Sequence, residues 1–163
     1  MSPINGLLRL WAVVRVIAEA AIVLLFLAMV ASAMGQVLAR YVFNVPLRWS
    51  EEMARYLFIW LSFLGAWLAW ARRDHLGIDL LLESLPERAA QVLRILVELA
   101  VLTFAALSMY YGQRILAISA GQPSAVLRIP MAWVYAAFYV GMALVVLETL
   151  VGWLERALRV GNA

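Results

Sequence analysis

The chain has 163 residues, of which 66% are hydrophobic and only 14% are charged. An ordinary soluble domain is about 45–50% apolar and about 25% charged, and a soluble chain of this length could not bury the excess apolar surface. The composition therefore excludes a soluble enzyme, a soluble nucleic-acid-binding domain and a disordered chain. It predicts an integral membrane protein with about four spans and no extramembrane domain.

Residue counts exclude several kinds of site. Cysteine is absent and His75 is the one histidine, which excludes disulfides, thiolate ligands and a bis-histidine haem site. Every cation is an arginine, and the net charge of +3 bears on topology and lipid headgroups. Hydrolase, zinc-protease and phosphate-loop motifs are missing from the sequence. We therefore predict that the chain is not an enzyme and has no catalytic residues, metal ligands or cofactor.

Charged residues divide the chain into apolar runs at residues 20–39, 56–71, 99–113 and 129–147. A spanning helix needs about 20 residues, so the first and fourth runs qualify directly. The other two reach that length if flanking charged side chains extend to the interface. We predict a single all-α membrane domain over residues 1–163, with spans near 14–39, 51–72, 91–115 and 130–156.

The connections between these spans differ in kind. Residues 40–50 contain a proline, and Ser50 is a candidate N-cap for the second helix. Residues 75–88 mix leucines with acidic residues, which predicts a short amphipathic helix in the plane of the interface. Residues 116–130 hold a glycine and two prolines, which predicts a loop.

Arginine positions predict the orientation. Eight arginines lie on the side of the termini and five on the other side, which favours two cytoplasmic termini. Arg9 and Arg15, an apolar run and residues 31–33 (Ala-Ser-Ala) also resemble a signal peptide. The uncharged run continues to Ala39, which favours a full first span instead.

Small residues recur at helical spacing in three spans: Ala21, Ala28, Ser32, Gly35 and Ala39 in the first, Ser62, Gly65, Ala66 and Ala69 in the second, and Ala137 and Gly141 in the fourth. Such stripes let helices approach closely. They are compatible with packing inside this chain and with docking onto a separate subunit. Trp60, Trp67 and Trp70 share one broad side of the second span, where they could contact a partner or anchor the helix at the interface.

Ionisable residues within spans are functional candidates by default, here Glu19, Glu98, Arg114 and Glu148. Arg15 precedes Glu19 by four residues, and Arg94 precedes Glu98 by four, so we expect each pair to neutralise on its own helix. The same spacing links Arg48 with Glu52 and Glu51 with Arg55 around Ser50. With no acidic residue at a span centre and no broken helix, we predict no substrate-binding or transport site in this chain.

The segment of residues 40–52 reads Arg-Tyr-Val-Phe-Asn-Val-Pro-Leu-Arg-Trp-Ser-Glu-Glu, and it is followed by Arg55, by Gly65-Ala66 and by His75-Leu-Gly-Ile-Asp79. Together these elements resemble the small membrane subunit (DctQ-like, or Q subunit) of tripartite ATP-independent periplasmic (TRAP) transporters. The four-span plan is similar as well. The first half of the chain carries the specific motifs, and the second half is similar in hydropathy.

The resemblance implies a scaffold in the bacterial inner membrane that anchors a large elevator-type subunit and helps to dock a periplasmic binding protein. Na⁺ coupling would then belong to the large subunit, and the substrate would be a carboxylate such as a C4-dicarboxylate or sialic acid. We expect contacts with lipids and none with nucleic acid. The residues expected at the subunit or binding-protein interface are Arg40, Asn44, Trp49, Glu51, Glu52, Arg55, Trp60, Gly65, His75 and Asp79.

Two other functions are compatible with a small apolar chain. The first is a self-contained homodimeric exporter or channel, which would need a membrane-embedded acid, and Glu19 is the best candidate. The second is a membrane-bound enzyme or redox anchor, which one histidine and no cysteine make a poor fit.

Overall fold

A computed structural model describes residues 3–72 and 85–161. These residues form four helices: α1 (Pro3–Tyr41), α2 (Arg48–Arg72), α3 (Glu87–Ser119) and α4 (Met131–Gly161). All four are long and apolar enough to cross a membrane. In the described ranges the one β feature is an isolated antiparallel bridge between Pro123 and Pro130. The predicted all-α membrane fold with four spans is therefore confirmed.

The helices are longer than the predicted spans at most of their ends. Helix α1 extends beyond residues 14–39 at both ends. The charged residues that flank the apolar run therefore also lie in regular helix. Helix α3 begins at Glu87, so the last two residues of the expected amphipathic connector 75–88 belong to its first turn. Residues 75–84 of that connector lie outside the described residues.

The expected N-cap at Ser50 is wrong. Helix α2 begins at Arg48, and the buried Ser50 hydroxyl donates to the Leu47 carbonyl over 2.7 Å. Its backbone carbonyl in turn accepts a hydrogen bond from Ser32 of α1 over 3.0 Å. Ser50 therefore joins the start of α2 to α1.

Helices α2 and α4 are central, with α1 packed on α2 and α3 packed on α4. Few apolar residues are buried, as expected when much of the surface faces lipid; they are Ala39, Leu64, Trp67, Ala105, Val134, Ala137 and Val145. Most large apolar side chains of the outer helices α1 and α3 are exposed, whereas most of those on the central helices α2 and α4 are partly buried. The chain thus has a thin core and a wide apolar exterior.

Two polar ends enclose this apolar middle. We call the end with the 42–47 turn and the 120–130 loop the loop end, and the other the termini end. Along α2, Glu52 at the loop end and Arg72 at the termini end are about 30 Å apart by helical rise. This separation matches the hydrocarbon thickness of a bilayer, about 30 Å.

Candidate functional site

Several residues of the predicted interface set lie together at the loop end. Arg40, in the last turn of α1, is 3.8 Å from the Glu51 carboxylate in the first turn of α2. The Gln36 amide donates to the same carboxylate. Asn44 lies in the turn between the two helices with a left-handed φ of 53°, a conformation that asparagine tolerates better than most residues. Trp49 is 45% exposed beside this turn.

Glu52 has a different environment from its neighbour Glu51. It is buried, and its Oε2 accepts hydrogen bonds from the consecutive backbone N–H groups of Val126 and Leu127, both over 2.8 Å. The Tyr56 hydroxyl donates to the other carboxylate oxygen. Successive N–H groups of a turn form an anion-binding concavity. In this protein Glu52 of α2 fills such a concavity in the 120–130 loop.

The 120–130 loop is also hydrogen-bonded internally. Ser124 N–H donates to the Ile129 carbonyl over 2.8 Å, and Ile129 N–H donates to the Ser124 hydroxyl over 3.2 Å. Met131 N–H donates to Gln122 over 2.9 Å. Arg128 has a φ of 57°, an uncommon conformation outside glycine and asparagine. Charge-assisted hydrogen bonds from the Val126 and Leu127 N–H groups to the Glu52 carboxylate therefore hold a loop that already has a defined shape.

The predicted ion pairs along single helices are wrong. Arg15 bonds to Glu148 of α4 instead of Glu19, and Glu98 bonds to Arg156 instead of Arg94. Glu51 binds Arg40 and Gln36 of α1 rather than Arg55, and Glu52 binds Tyr56 and the 120–130 loop rather than Arg48. Pairs within one helix contribute only about 0.2–0.5 kcal/mol, so a partly buried partner on a packed neighbour is preferred.

At the termini end, α4 is joined to both outer helices in the same way. The buried Glu148 carboxylate accepts from the Arg15 guanidinium and, over 3.0 Å, from Trp11 Nε1 of α1. The Glu98 carboxylate of α3 accepts from Arg156 Nη2 over 2.7 and 2.8 Å and from Trp153 Nε1 over 2.6 Å. Each carboxylate thus binds one arginine and one tryptophan that lie one helical turn apart.

Glu19, the acid required by the exporter hypothesis, also has a partner. Its Oε1 lies 2.8 Å from Arg72 Nη2 of α2, and both side chains are about half exposed. A half-exposed ion pair is not an enclosed site. The geometry therefore gives no specific support to the exporter hypothesis.

Trp60, Trp67 and Trp70 of α2 do not form one exposed surface. Trp67 is fully buried and makes an edge-to-face contact with Trp11, with ring centroids 6.3 Å apart. Trp70 donates to the Thr149 hydroxyl of α4 over 3.0 Å. Two of the three indoles therefore pack inside the chain, and half-buried Trp60 is the member that stays available for a partner.

Small residues play two distinct roles. A Cβ on Gly141 of α4 would lie 2.9 Å from Phe63 Cβ and 3.1 Å from the Phe63 carbonyl of α2, so this glycine permits close approach of the two helices. A Cβ on Gly65 would meet no atom within 4 Å. Gly65 lies beside Ser62 and Ala66, both exposed. This part of the α2 stripe has no partner helix among the described residues.

We call the exposed side of α2 its open face, formed by Arg55, Phe58, Ser62, Gly65 and Ala66. An apolar groove of about 440 Å³ runs beside α2 along α1, lined by Met29, Val30, Ala33, Met34, Val37 and Ala54. The open face and the groove are apolar except at Arg55 and Ser62. Such a surface suits lipid or another helix.

Other predicted residues have no structural outcome. His75 and Asp79 lie outside the described residues. Among residues 3–72 and 85–161, no group of three histidine or carboxylate side chains could hold a metal ion.

The sequence analysis did not predict Trp11, Trp153 and Arg156 as hydrogen-bond partners of the buried glutamates. A tryptophan and an arginine one turn apart near a span end is the signal that would have indicated them.

Comparison with known proteins identifies similar chains. The family model of the DctQ component of tripartite ATP-independent periplasmic transporters matches residues 29–159. The sialic acid TRAP transporter permease protein SiaT of Haemophilus influenzae is 33% identical over 113 residues, which are 69% of this chain and 18% of that protein. The sialic acid TRAP transporter small permease protein SiaQ of Vibrio cholerae is 36% identical over 90 residues, covering 55% and 52%.

A third relative is also a longer chain. The isethionate TRAP transporter permease protein DctMQ of Oleidesulfovibrio alaskensis is 40% identical over 58 residues, which are 36% of this chain and 9% of that protein. The matched regions span between about a tenth and a half of these relatives. In SiaT and DctMQ the similar segment is therefore one part of a much larger permease protein.

Proposed function

Because the chain belongs to the DctQ family of TRAP transporter small permease subunits, we propose that it acts as a scaffold that anchors a large permease subunit in the membrane. The large subunit would carry the Na⁺-coupled elevator movement and the carboxylate site, and a soluble binding protein would deliver the substrate. The chain is an inner-membrane protein with four helices able to span the bilayer. The family is one of transporter subunits rather than enzymes.

The observation that carries this proposal is the open face of α2. Ser62 and Ala66 are exposed and Gly65 has free space around it, although small residues at this spacing are typical of close helix–helix contacts in membranes. Helices α1 and α4 occupy the other sides of α2. A helix of the large subunit could lie close to α2 across the open face, because the small residues leave room for it. Gly141 allows the same close approach between α4 and Phe63 of α2 within the chain.

The architecture of SiaT and DctMQ supports the choice of a permease chain as the partner, since their similar segments are parts of longer permease proteins. The charged residues support a role as a fixed scaffold rather than as part of a transport pathway. Glu19, Glu98 and Glu148 each bind a cation on a neighbouring helix. Ion pairs between helices oppose sliding of one helix past another, and a scaffold must stay fixed while another domain moves.

The test is purification through a tag on this chain, with the recovered large subunit quantified by mass spectrometry. Ala66→Leu should reduce recovery at least severalfold, because a larger side chain on the open face prevents close approach. Ala106→Leu on the exposed side of α3 is the matched control and should leave recovery unchanged. Equal recovery for both variants would show that the open face is not the docking face. Absence of any large permease protein with the wild-type chain would refute the scaffold function.

A further inference from the structure

Trp67 carries an indole N–H group without a hydrogen-bond partner. The side chain is fully buried, and among the described residues no atom accepts a hydrogen bond from its Nε1. A buried N–H group that loses water and gains no acceptor costs free energy. Native structures therefore supply such groups with a protein acceptor or with an ordered water molecule.

The surroundings of Trp67 are polar. Its ring contacts Trp11 edge to face, with ring centroids 6.3 Å apart, and Trp11 in turn donates to the Glu148 carboxylate over 3.0 Å. Three residues further along α2, Trp70 donates over 3.0 Å to the hydroxyl of Thr149, which follows Glu148 in the chain. The Trp67 indole therefore lies beside the point where α1, α2 and α4 meet.

The Glu148 carboxylate has room for a further hydrogen-bond donor. Its Oε2 accepts from Trp11 Nε1 and from Arg15 Nε, whereas its Oε1 accepts, among the described residues, from the Arg15 guanidinium alone. Each carboxylate oxygen has about two acceptor positions, so Oε1 can accept one more hydrogen bond. A donor without an acceptor and a carboxylate with a free position therefore lie in the same buried region of the protein.

The chemistry of these two groups restricts the ligand that can join them. It must accept from the Trp67 N–H group and donate to Glu148 Oε1. Water does both, whereas a metal ion cannot accept and a halide ion cannot donate. The full burial of Trp67 excludes a lipid headgroup. Trp67 is about 7.5 Å from Arg72 by helical rise, and Arg15 is 35% exposed, so the route for water from the termini end is short.

We propose that the Trp67 Nε1–H group binds one buried water molecule, which it shares with the Glu148 carboxylate. The water accepts from the indole and donates to Oε1, so both groups gain a partner. In this way α2 takes part in the ion pair that joins α1 to α4. The inference concerns this chain alone and is independent of the proposed scaffold function.

The direct test is NMR spectroscopy of the full chain, with nitrogen-15-labelled tryptophan, in deuterated detergent micelles. The indole N–H signal of Trp67, identified by its loss in Trp67→Phe, should show a nuclear Overhauser effect to a long-lived water. Trp60 is the matched control, because it lies about two turns nearer the middle of α2 on the same side, and its N–H signal should show no such effect.

A Trp67 signal without the effect to water would overturn the proposal. A marked upfield shift of that signal would then assign the N–H group to the ring face of Trp11, the alternative that the edge-to-face contact allows.

Thermal unfolding provides an independent test, in which the two alternatives predict opposite signs. Replacement of Trp67 by β-(3-benzothienyl)alanine keeps the size of the side chain and puts sulfur in place of the N–H group. With a bound water, the apparent melting temperature in nanodiscs should fall by about 2–4 °C, because the water loses its donor. With an unpartnered N–H group, the replacement removes an unsatisfied donor. A melting temperature that stays equal or rises would therefore overturn the proposal.

The part of Glu148 is tested with Glu148→Leu, which has a similar size and no acceptor. The nuclear Overhauser effect between Trp67 and water should disappear in this variant and persist in Glu155→Leu, the control on the same helix. Persistence of the effect in Glu148→Leu would overturn the shared site. The benzothienylalanine experiment uses the otherwise wild-type chain, so it decides the proposal even if Glu148→Leu does not fold.

Discussion

The two ends of the molecule use buried glutamates for different purposes. At the termini end, Glu98 and Glu148 each bind an arginine and a tryptophan on a neighbouring helix, which joins α3 and α1 to α4. At the loop end, Glu52 binds two backbone N–H groups and a tyrosine. The first arrangement neutralises arginines and clamps helices. The second shapes a loop, and the exposed arginines near that loop form no ion pair among the described residues.

This difference shows that a buried carboxylate in a thin membrane domain can serve as a helix clamp or as a loop anchor. Which of the two it becomes depends on what packs over it. Breaking a clamp leaves a partly buried charge without its partner, which lowers stability, whereas breaking an anchor changes the conformation of the exposed residues around it. The following variants separate these roles.

The largest effect is expected from Glu148→Gln. The change leaves the Arg15 guanidinium without its carboxylate, and we expect a loss of about 2–3 kcal/mol, below the full cost of a broken buried pair because Arg15 is 35% exposed. The apparent melting temperature in nanodiscs measures it. Glu155→Gln on the same helix is the control, since Glu155 makes no ion pair within the described residues. Equal melting temperatures for the two variants would refute the clamp.

The next largest effect is expected between the ends, from Gly141→Ala. The added Cβ would be 2.9 Å from Phe63 Cβ, so α2 and α4 must separate at a cost of about 1–3 kcal/mol. Gly35→Ala provides the control because its Cβ would meet no atom within 4 Å, and it should be neutral. Equal melting temperatures for the two glycine variants would show that the close approach of α2 and α4 does not contribute to stability. The contacts at the two ends would then hold the helices together.

A smaller loss of stability is expected from Glu52→Gln than from Glu148→Gln. Glutamine keeps an acceptor oxygen for one backbone N–H group but loses the negative charge, and no arginine is left unpaired by the change. The two variants are compared by thermal unfolding in the same nanodiscs. A drop in melting temperature for Glu52→Gln as large as that for Glu148→Gln would mean that the buried glutamates act as helix clamps at both ends.

The smallest effect is expected from Glu19→Gln. Its ion pair with Arg72 is between two half-exposed side chains, and such pairs contribute about 0–1 kcal/mol. Substrate uptake by the assembled transporter should be unchanged, as measured with radiolabelled carboxylate in proteoliposomes. Abolished uptake with normal recovery of the large subunit would instead favour a role for Glu19 in transport.

The sequence predicted the four helices well, because long uncharged runs bounded by charges have few alternatives in a bilayer. It predicted the helix starts less well, as at Ser50, which donates to Leu47 rather than capping α2. Of the candidate site, Arg40, Asn44, Trp49, Glu51 and Glu52 lie near one another at the loop end. Their proposed roles at an interface stay a prediction, as does the cytoplasmic location of both termini.

The sequence could not predict the partners of the charged residues. Arg15 and Glu19 have ideal helical spacing, yet each binds a different helix. Gly65 and Gly141 look equivalent in the sequence, yet one faces open space and the other faces Phe63. Spacing along one helix gives the face of a residue but not the neighbour that covers it.

The sequence by itself therefore determined the membrane class, the four spanning helices of the described residues and the depth of the charged residues, because hydropathy and the 1.5 Å rise per residue act along a single chain. Tertiary structure alone decided which carboxylate clamps helices, which one anchors a loop and which small residues stay open. The reason is physical: burial and hydrogen bonding depend on the helix that packs alongside. The apolar excess of the composition consequently divides into a thin internal core and a broad surface for lipid and another chain.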